Sequence, residues 1–209
     1  MKINEIFKSI EGEGIFQGYL TLFIRLAECN LNCKWCDTKY SFNEYKIMSL
    51  NKILNIVKNE NINKITITGG EPFLQQNELL LLITEIKKLN KEICIYTNGT
   101  IEIDKNLFDL VHIILDYKLD YTDKINNNNI TNLKNGILKF VIDDINKFKN
   151  LNLDIVKIYN NNNKIHITPA FNYIDNKDIA DYLINNNLNN IKLALQQHKY
   201  IWNPEERSV

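Results

Sequence analysis

Short β-branched runs separated by helix-period segments recur along this chain, and few architectures accept such an alternation. The runs are Leu20 to Leu26, Lys64 to Thr68, Glu92 to Thr97, His112 to Leu115, Ile137 to Ile142, Ile155 to Tyr159, Lys164 to Thr168 and Ile191 to Leu195. Polar residues or glycine bound each of them, as they bound strands. Helical periodicity fits Ser49 to Asn59, with Ser49 as a cap, Asn77 to Leu89 and Asp175 to Asn186. A strand that returns parallel to its predecessor needs a crossover, which a helix supplies, so the alternation predicts an α/β fold with a mainly parallel sheet. A closed eight-unit barrel usually takes about 250 residues. The 209 residues here therefore predict one domain, an incomplete (β/α) barrel open on one side, with its chemistry at the strand ends.

Charge narrows the choice of partner. Lysine plus arginine and aspartate plus glutamate both total 25, so no global field draws the chain to nucleic acid or to an anionic membrane. A small molecule is the expected partner. Met1 leads directly into the alternating stretch Lys2 to Lys8, and no apolar run is long enough to span a bilayer, which predicts a cytoplasmic protein. Asparagine tracts at Asn126 to Asn129, Asn160 to Asn163 and Asn185 to Asn187 break the periodic segments and are expected to be surface loops.

Cys29, Cys33 and Cys36 follow the strand Leu20 to Leu26 closely enough to fold round one metal centre. Structural zinc wants four protein ligands, usually as two close pairs, and a second pair is missing. Cys94 sits among Ile93, Ile95 and Tyr96, where a cysteine behaves as a small buried hydrophobe. Three thiolates on a four-iron cluster would leave one iron open for a ligand, whereas a zinc knuckle remains the alternative. In type and spacing the triplet, with Trp35 before its last cysteine, resembles the radical S-adenosylmethionine superfamily. That resemblance implies a 4Fe-4S cluster on Cys29, Cys33 and Cys36, with Trp35, Cys36 and Asp37 beside S-adenosylmethionine.

Thr66-Ile67-Thr68-Gly69-Gly70-Glu71-Pro72 runs from a strand through a turn into a helix that Pro72 is suited to open. Glycines there let a ligand approach the backbone. The segment resembles the superfamily's Gly-Gly-Glu-Pro motif, which implies that Gly70 and Glu71 meet the amino group of S-adenosylmethionine. Thr97 to Thr100, Asp116 to Lys118 and Thr168 to Phe171 stand at later strand ends. Singly these are ordinary turns. The resemblance implies that Asp116, Tyr117 and Lys118, and Thr168, Pro169, Ala170 and Phe171, help hold the nucleoside.

Near the start, Ser9-Ile10-Glu11-Gly12-Glu13-Gly14 couples a strand to an acidic turn, and Arg25 interrupts the apolar Phe23-Ile24-Arg25-Leu26. An arginine in a strand wants an anion, either a structural carboxylate such as Glu28 or a substrate carboxylate gripped bidentately. These motifs, Cys-Lys-Trp-Cys-Asp-Thr, and the closing Leu195-Gln196-Gln197-His198-Lys199-Tyr200-Ile201-Trp202 are similar to the 7-carboxy-7-deazaguanine synthases. The resemblance covers most of the chain. It implies a lyase that turns 6-carboxy-5,6,7,8-tetrahydropterin into 7-carboxy-7-deazaguanine on the route to queuosine, by hydrogen abstraction at C6, ring contraction and nitrogen loss. Residue by residue, it implies substrate contacts from Ile10, Glu11, Gly12, Arg25, Thr68 and His198, and Mg²⁺ on Thr38. It further implies a homodimer reduced by a flavodoxin or ferredoxin, with the cofactors carrying the chemistry and no catalytic side chain needed. Tyr96, where the family often has glutamate, and Thr168, where glutamine is frequent, depart from the pattern. Glu11 and Glu13 have a second reading as a solvated acidic turn. Two other readings of the chain are a radical enzyme acting on a protein and a zinc-binding interaction module.

Overall fold

The computed structural model describes residues 1–134, 136–150 and 164–209. Its frame is one nine-stranded sheet in the order β3-β1-β2-β4-β5-β6-β7-β8-β9. The strands are β1 (Lys2–Ile10), β2 (Leu20–Leu26), β3 (Lys46–Ile47), β4 (Lys64–Gly69), β5 (Glu92–Thr97), β6 (His112–Lys118), β7 (Ile137–Ile142), β8 (Lys164–Pro169) and β9 (Ile191–Leu193). β1 lies antiparallel to both β2 and β3, and every pairing from β2 onward is parallel. The sheet begins at β3 and ends at β9 without closing on itself, the open partial barrel that the strand–helix alternation predicts. The expected strand Ile155 to Tyr159 lies outside the described residues. Among the described residues, no helix is long and apolar enough to cross a membrane.

Period-two alternation divides the sheet into two chemically different faces. Leu22, Ile24, Leu26, Ile65, Ile67, Ile93, Ile95, Leu138, Phe140 and Ile142 point outward and are buried under the helices. α1 (Leu50–Asn59) covers them with Ile53, Leu54 and Val57, and α2 (Gln76–Lys87) with Leu79, Leu82, Ile83 and Ile86. Fully burying one such aliphatic side chain is worth roughly 1.5–3 kcal/mol, so this face dominates the stability. The alternate residues, including Thr66, Cys94, Tyr96, Asp116 and Lys139, face the concave side. Phe16, from the turn between β1 and β2, plugs that side at the strands' N-terminal end, packing on Cys94, Ile114 and Ile137 with its ring edge-on to His112 at 5.9 Å. What remains open is the C-terminal end.

The helix starts follow their caps. Ser49 Oγ accepts from Lys52 N at 3.3 Å, and Asp175 accepts from Lys177 N at 2.9 Å to begin α6 (Asn176–Asn185). Among the described residues, four short helices escape the periodicity, namely α3 (Leu107–Leu110), α4 (Asn127–Asn132), α5 (Ile145–Lys149) and α7 (His198–Ile201), each too brief to show an amphipathic pattern.

One asparagine tract is not the surface loop expected. Asn126 caps α4, accepting from Asn128 N at 2.9 Å, and Asn129 is 1% exposed. Its amide donates to Gly99 O and Ile101 O and accepts from Ile103 N, at 3.0, 2.7 and 3.0 Å. A buried amide that meets three backbone groups replaces the strand pairing those groups lack. Asn185 to Asn187 close α6, with Asn187 at φ 50° in the left-handed region that asparagine tolerates. Asn160 to Asn163 lie outside the described residues.

Candidate active site

The cysteine loop is docked rather than free. Gly69 and Gly70 lie so close to the start of that loop that a Cβ on Gly69 would stand 2.0 Å from Leu26 O, and one on Gly70 1.8 Å from Glu28 O. Two hydrogen bonds close the contact, Gly70 N to Leu26 O at 3.1 Å and Glu71 N to Glu28 O at 2.7 Å. The glycine turn thus admits a neighbouring backbone as well as facing the cavity. Glu71 is fully buried beneath it. Its carboxylate accepts from Phe73 N, Thr97 Oγ1 and Asn98 N at 3.0, 2.8 and 2.7 Å, which ties the end of β4 to the end of β5. Burial lifts its pKa to about 7 against the pull of those donors. Asn98 extends the tie to the loop itself, donating to Asn30 Oδ1 at 3.0 Å.

Above this floor opens a cavity of about 690 Å³ at the strands' C-terminal end. Its size is that of a small-molecule site. Cys29, Cys33 and Cys36 line one wall together with Trp35, Asp37 and Thr38. Cys36 N donates to Cys33 O at 3.3 Å, Leu31 N to Cys29 Sγ at 3.4 Å, and Thr38 Oγ1 is 3.7 Å from Cys36 Sγ. Cys94 is 1% exposed in the inner-face packing with Phe16, away from the loop. Among the described residues, no group of three His, Cys, Asp or Glu side chains is placed to hold a single metal ion.

All six expected substrate contacts, Ile10, Glu11, Gly12, Arg25, Thr68 and His198, line the same cavity. Gly12 and His198 touch across almost the whole chain, since a Cβ on Gly12 would fall 2.0 Å from His198 Nδ1 and Gln197 N donates to Gly12 O at 3.1 Å. The motifs at the two ends of the sequence form one contact. Burial holds His198 below the usual imidazole range. Arg25 pairs not with Glu28, which binds Lys2 at 2.6 Å, but with Glu5 directly opposite on β1, Nε to Oε1 at 2.6 Å. Tyr40 also donates to Glu5, at 2.9 Å.

The residues expected at the nucleoside divide. Asp116, Lys118, Ala170 and Phe171 line the cavity, as does Gly70 of the turn expected at the amino group. Tyr117 points the other way, packing on Phe140 at 5.2 Å in the helix-covered core, so only its backbone is available to a ligand in the cavity. Thr168 is fully buried with Oγ1 unpartnered, and Pro169 borders a second pocket of about 190 Å³ beside Phe171 and Tyr200.

The acidic turn is not solvated. Glu11 is 5% and Glu13 8% exposed. Glu11 accepts from Thr66 Oγ1 at 2.7 Å, and burial, reinforced by Glu13, lifts its pKa to about 7 although that hydrogen bond opposes the shift. Glu13 pairs with Lys139 of β7, which also reaches Asp116 at 3.2 Å. Burial alone would push the Asp116 carboxyl up, but Lys118 and Lys139 outweigh it and hold it below its usual range. Lys139 and Glu5 are among the residues at the site that sequence reasoning missed. For Lys139 the signal was present, a lysine inside the apolar Ile137-Leu138-Lys139-Phe140-Val141-Ile142, as Arg25 stands inside its own strand.

A polar concave face with three loop thiols along one wall fits an enzyme of the radical S-adenosylmethionine class, and residues 24–159 match the family model described as the Radical SAM superfamily. The chain is 37% identical to the 7-carboxy-7-deazaguanine synthase of Clostridium acetobutylicum, over 100% of this chain and 99% of that protein. With the synthases of Methanospirillum hungatei and Thermoplasma acidophilum it shares 35% in each case, over 98% and 97% of this chain and 86% and 97% of theirs. The chain belongs to the 7-carboxy-7-deazaguanine synthase family. Its fold matches the crystal structure of QueE from Escherichia coli with a TM-score of 0.77, at 22% identity and 94% coverage of both chains.

Membership of the class implies a 4Fe-4S cluster and S-adenosylmethionine, and the donor set fits them. Three soft thiols share a cavity wall while the fourth cysteine is packed into the sheet. Burial raises the Cys29 and Cys33 thiols, so a metal centre must displace their protons to bind.

Proposed function

We propose that this enzyme converts 6-carboxy-5,6,7,8-tetrahydropterin to 7-carboxy-7-deazaguanine, with ring contraction and loss of nitrogen. The observation that carries the reading is the seating of His198 on Gly12 in the cavity that the three cysteines line, because these two motifs belong to the synthases and not to radical enzymes at large. A cluster held by Cys29, Cys33 and Cys36 together with S-adenosylmethionine would supply the radical chemistry, directed at C6 of the pterin. The chain's own residues bind, orient and shield. Arg25 spends Nε on Glu5 and keeps its terminal amino groups for the substrate carboxylate. Glu11 and Thr68 meet the pterin ring, and the neutral imidazole of His198 closes its far side. Ile10 and Gly12 give the ring its backbone edge.

Cys29, Cys33 and Cys36 hold the cluster. Gly70, Trp35 and Asp37 border the methionine part of the cofactor, with Glu71 stiffening the turn from below. Asp116, Lys118, Ala170 and Phe171 seat the nucleoside, and Tyr117, Thr168 and Pro169 contribute through the backbone. Thr38 offers its hydroxyl to Mg²⁺, a hard cation that orders substrate oxygens. A flavodoxin or ferredoxin supplies the electron, in a cytoplasmic homodimer whose formation would cover an exposed sheet edge. The deciding experiment is anaerobic turnover with the carboxypterin, S-adenosylmethionine, Mg²⁺ and reductant. Formation of the deazaguanine is expected. Cleavage of S-adenosylmethionine without that product would hand the chain to a different radical reaction.

A further inference from the structure

A line of charges crosses the cavity floor with no carboxylate oxygen used twice. It starts at the cysteine loop, where Lys118 Nζ sits over the Trp35 ring at 4.6 Å, and passes to Asp116 Oδ2 at 2.9 Å. Asp116 Oδ1 meets Lys139 Nζ at 3.2 Å, Lys139 meets Glu13 Oε2, and Glu13 Oε1 accepts from Gln196 Nε2 at 2.7 Å. Lys139 is the centre of this line. Its side chain is 6% exposed, its contacts with the two acids are ion pairs rather than well-directed hydrogen bonds, and its ammonium lies 5.5 Å from the centre of the Tyr96 ring. Burial favours a neutral amine, yet Asp116 and Glu13 together outweigh it and keep the ammonium charged.

The two carboxylates belong to different parts of the site. Glu13 lies on the turn that, in the reading above, meets the pterin, and Asp116 ends the strand that seats the nucleoside. That reading gives Lys139 no ligand of its own. We propose that Lys139 is a positioning residue that couples the two seats, so that each ligand tightens the binding of the other. An ammonium has three donors and no acceptor, and here one such group is shared between two acids carried by different elements. A ligand that orders the turn also orders Glu13 and Lys139, and through them Asp116. The second ligand then has less to order, which is positive cooperativity, and by linkage the effect is reciprocal.

The proposal rests on the pterin reading and is tested on the cluster-loaded enzyme, anaerobic and unreduced so that S-adenosylmethionine stays intact. S-adenosylmethionine is titrated calorimetrically with and without the carboxypterin. In the wild type the pterin is expected to tighten it by about fivefold or more, the usual lower bound of such couplings. In Lys139→Met that factor falls to about 1, while each ligand still binds alone, and Lys139→Arg restores part of it. Should Lys139→Met fail to fold, Glu13→Gln is read in its place, since it cuts the line at one end and leaves the Lys139–Asp116 pair; it too must lower the factor. An equal factor in wild type and variant overturns the proposal. So does a wild type that turns over the pterin but binds its two ligands independently. A wild type that never binds the pterin sinks the substrate assignment first, and the coupling with it.

Discussion

The four cysteines illustrate how one residue type takes opposite roles by position. Cys29, Cys33 and Cys36 stand on the cavity wall and Cys94 in the sheet. Replacing any of the first three by alanine is expected to remove the iron and the visible absorbance of the anaerobically purified protein, whereas Cys94→Ala keeps both, as iron analysis would check. Glu11 carries a pH signature. Its folded pKa, raised to about 7, lies above the ordinary 4.5, so between those values the folded state holds a proton that the unfolded state has released. Stability from this group is therefore full at low pH and is lost as pH rises through that window, by on the order of 3 kcal/mol at one pKa unit per 1.36 kcal/mol. Glu11→Gln should flatten that part of the curve in denaturant titrations at pH 5 and pH 8. A variant that falls as steeply as the wild type would place the proton elsewhere.

Among the elements, the turn after β4 and the short helix α4 do the most to hold others in place. A methyl group at Gly70 would collide with a backbone oxygen rather than a side chain, and backbone cannot step aside cheaply. Gly70→Ala is expected to leave the sheet folded but to undock the cysteine loop, which would appear as a cluster occupancy well below wild type with unchanged far-ultraviolet circular dichroism. Asn129→Leu strands one buried N–H and two carbonyls. Each unsatisfied buried group costs about 1–3 kcal/mol, so a loss of several kcal/mol in chemical denaturation is expected. No periodicity reveals this residue, because an asparagine in a run of asparagines reads as solvated until a second element is seen to need it.

At the scale of the whole molecule the site is made where the chain's beginning and end meet beside the cysteine loop. Gly12→Ala should displace His198 and raise the KM for the pterin by an order of magnitude or more, while iron content stays at wild-type level, as steady-state kinetics and metal analysis would show. Much of this was legible in advance. The strands, the main helices and the cysteine and glycine motifs announce themselves because they are local, governed by side-chain period and by ligand spacing within a few residues. That Arg25 needs an anion and that Cys94 belongs to the core can likewise be read from their immediate neighbours. It could not say that the anion is Glu5, that Glu11 and Glu13 are buried, that Tyr117 turns its ring away, or that Lys139 joins two seats. Those facts depend on which strands become neighbours and in what register, and a parallel sheet sets its neighbours through crossovers dozens of residues long. They emerge on folding, because the desolvation that moves a carboxylate and the ion pair that holds a lysine exist only once distant segments have closed over the same space.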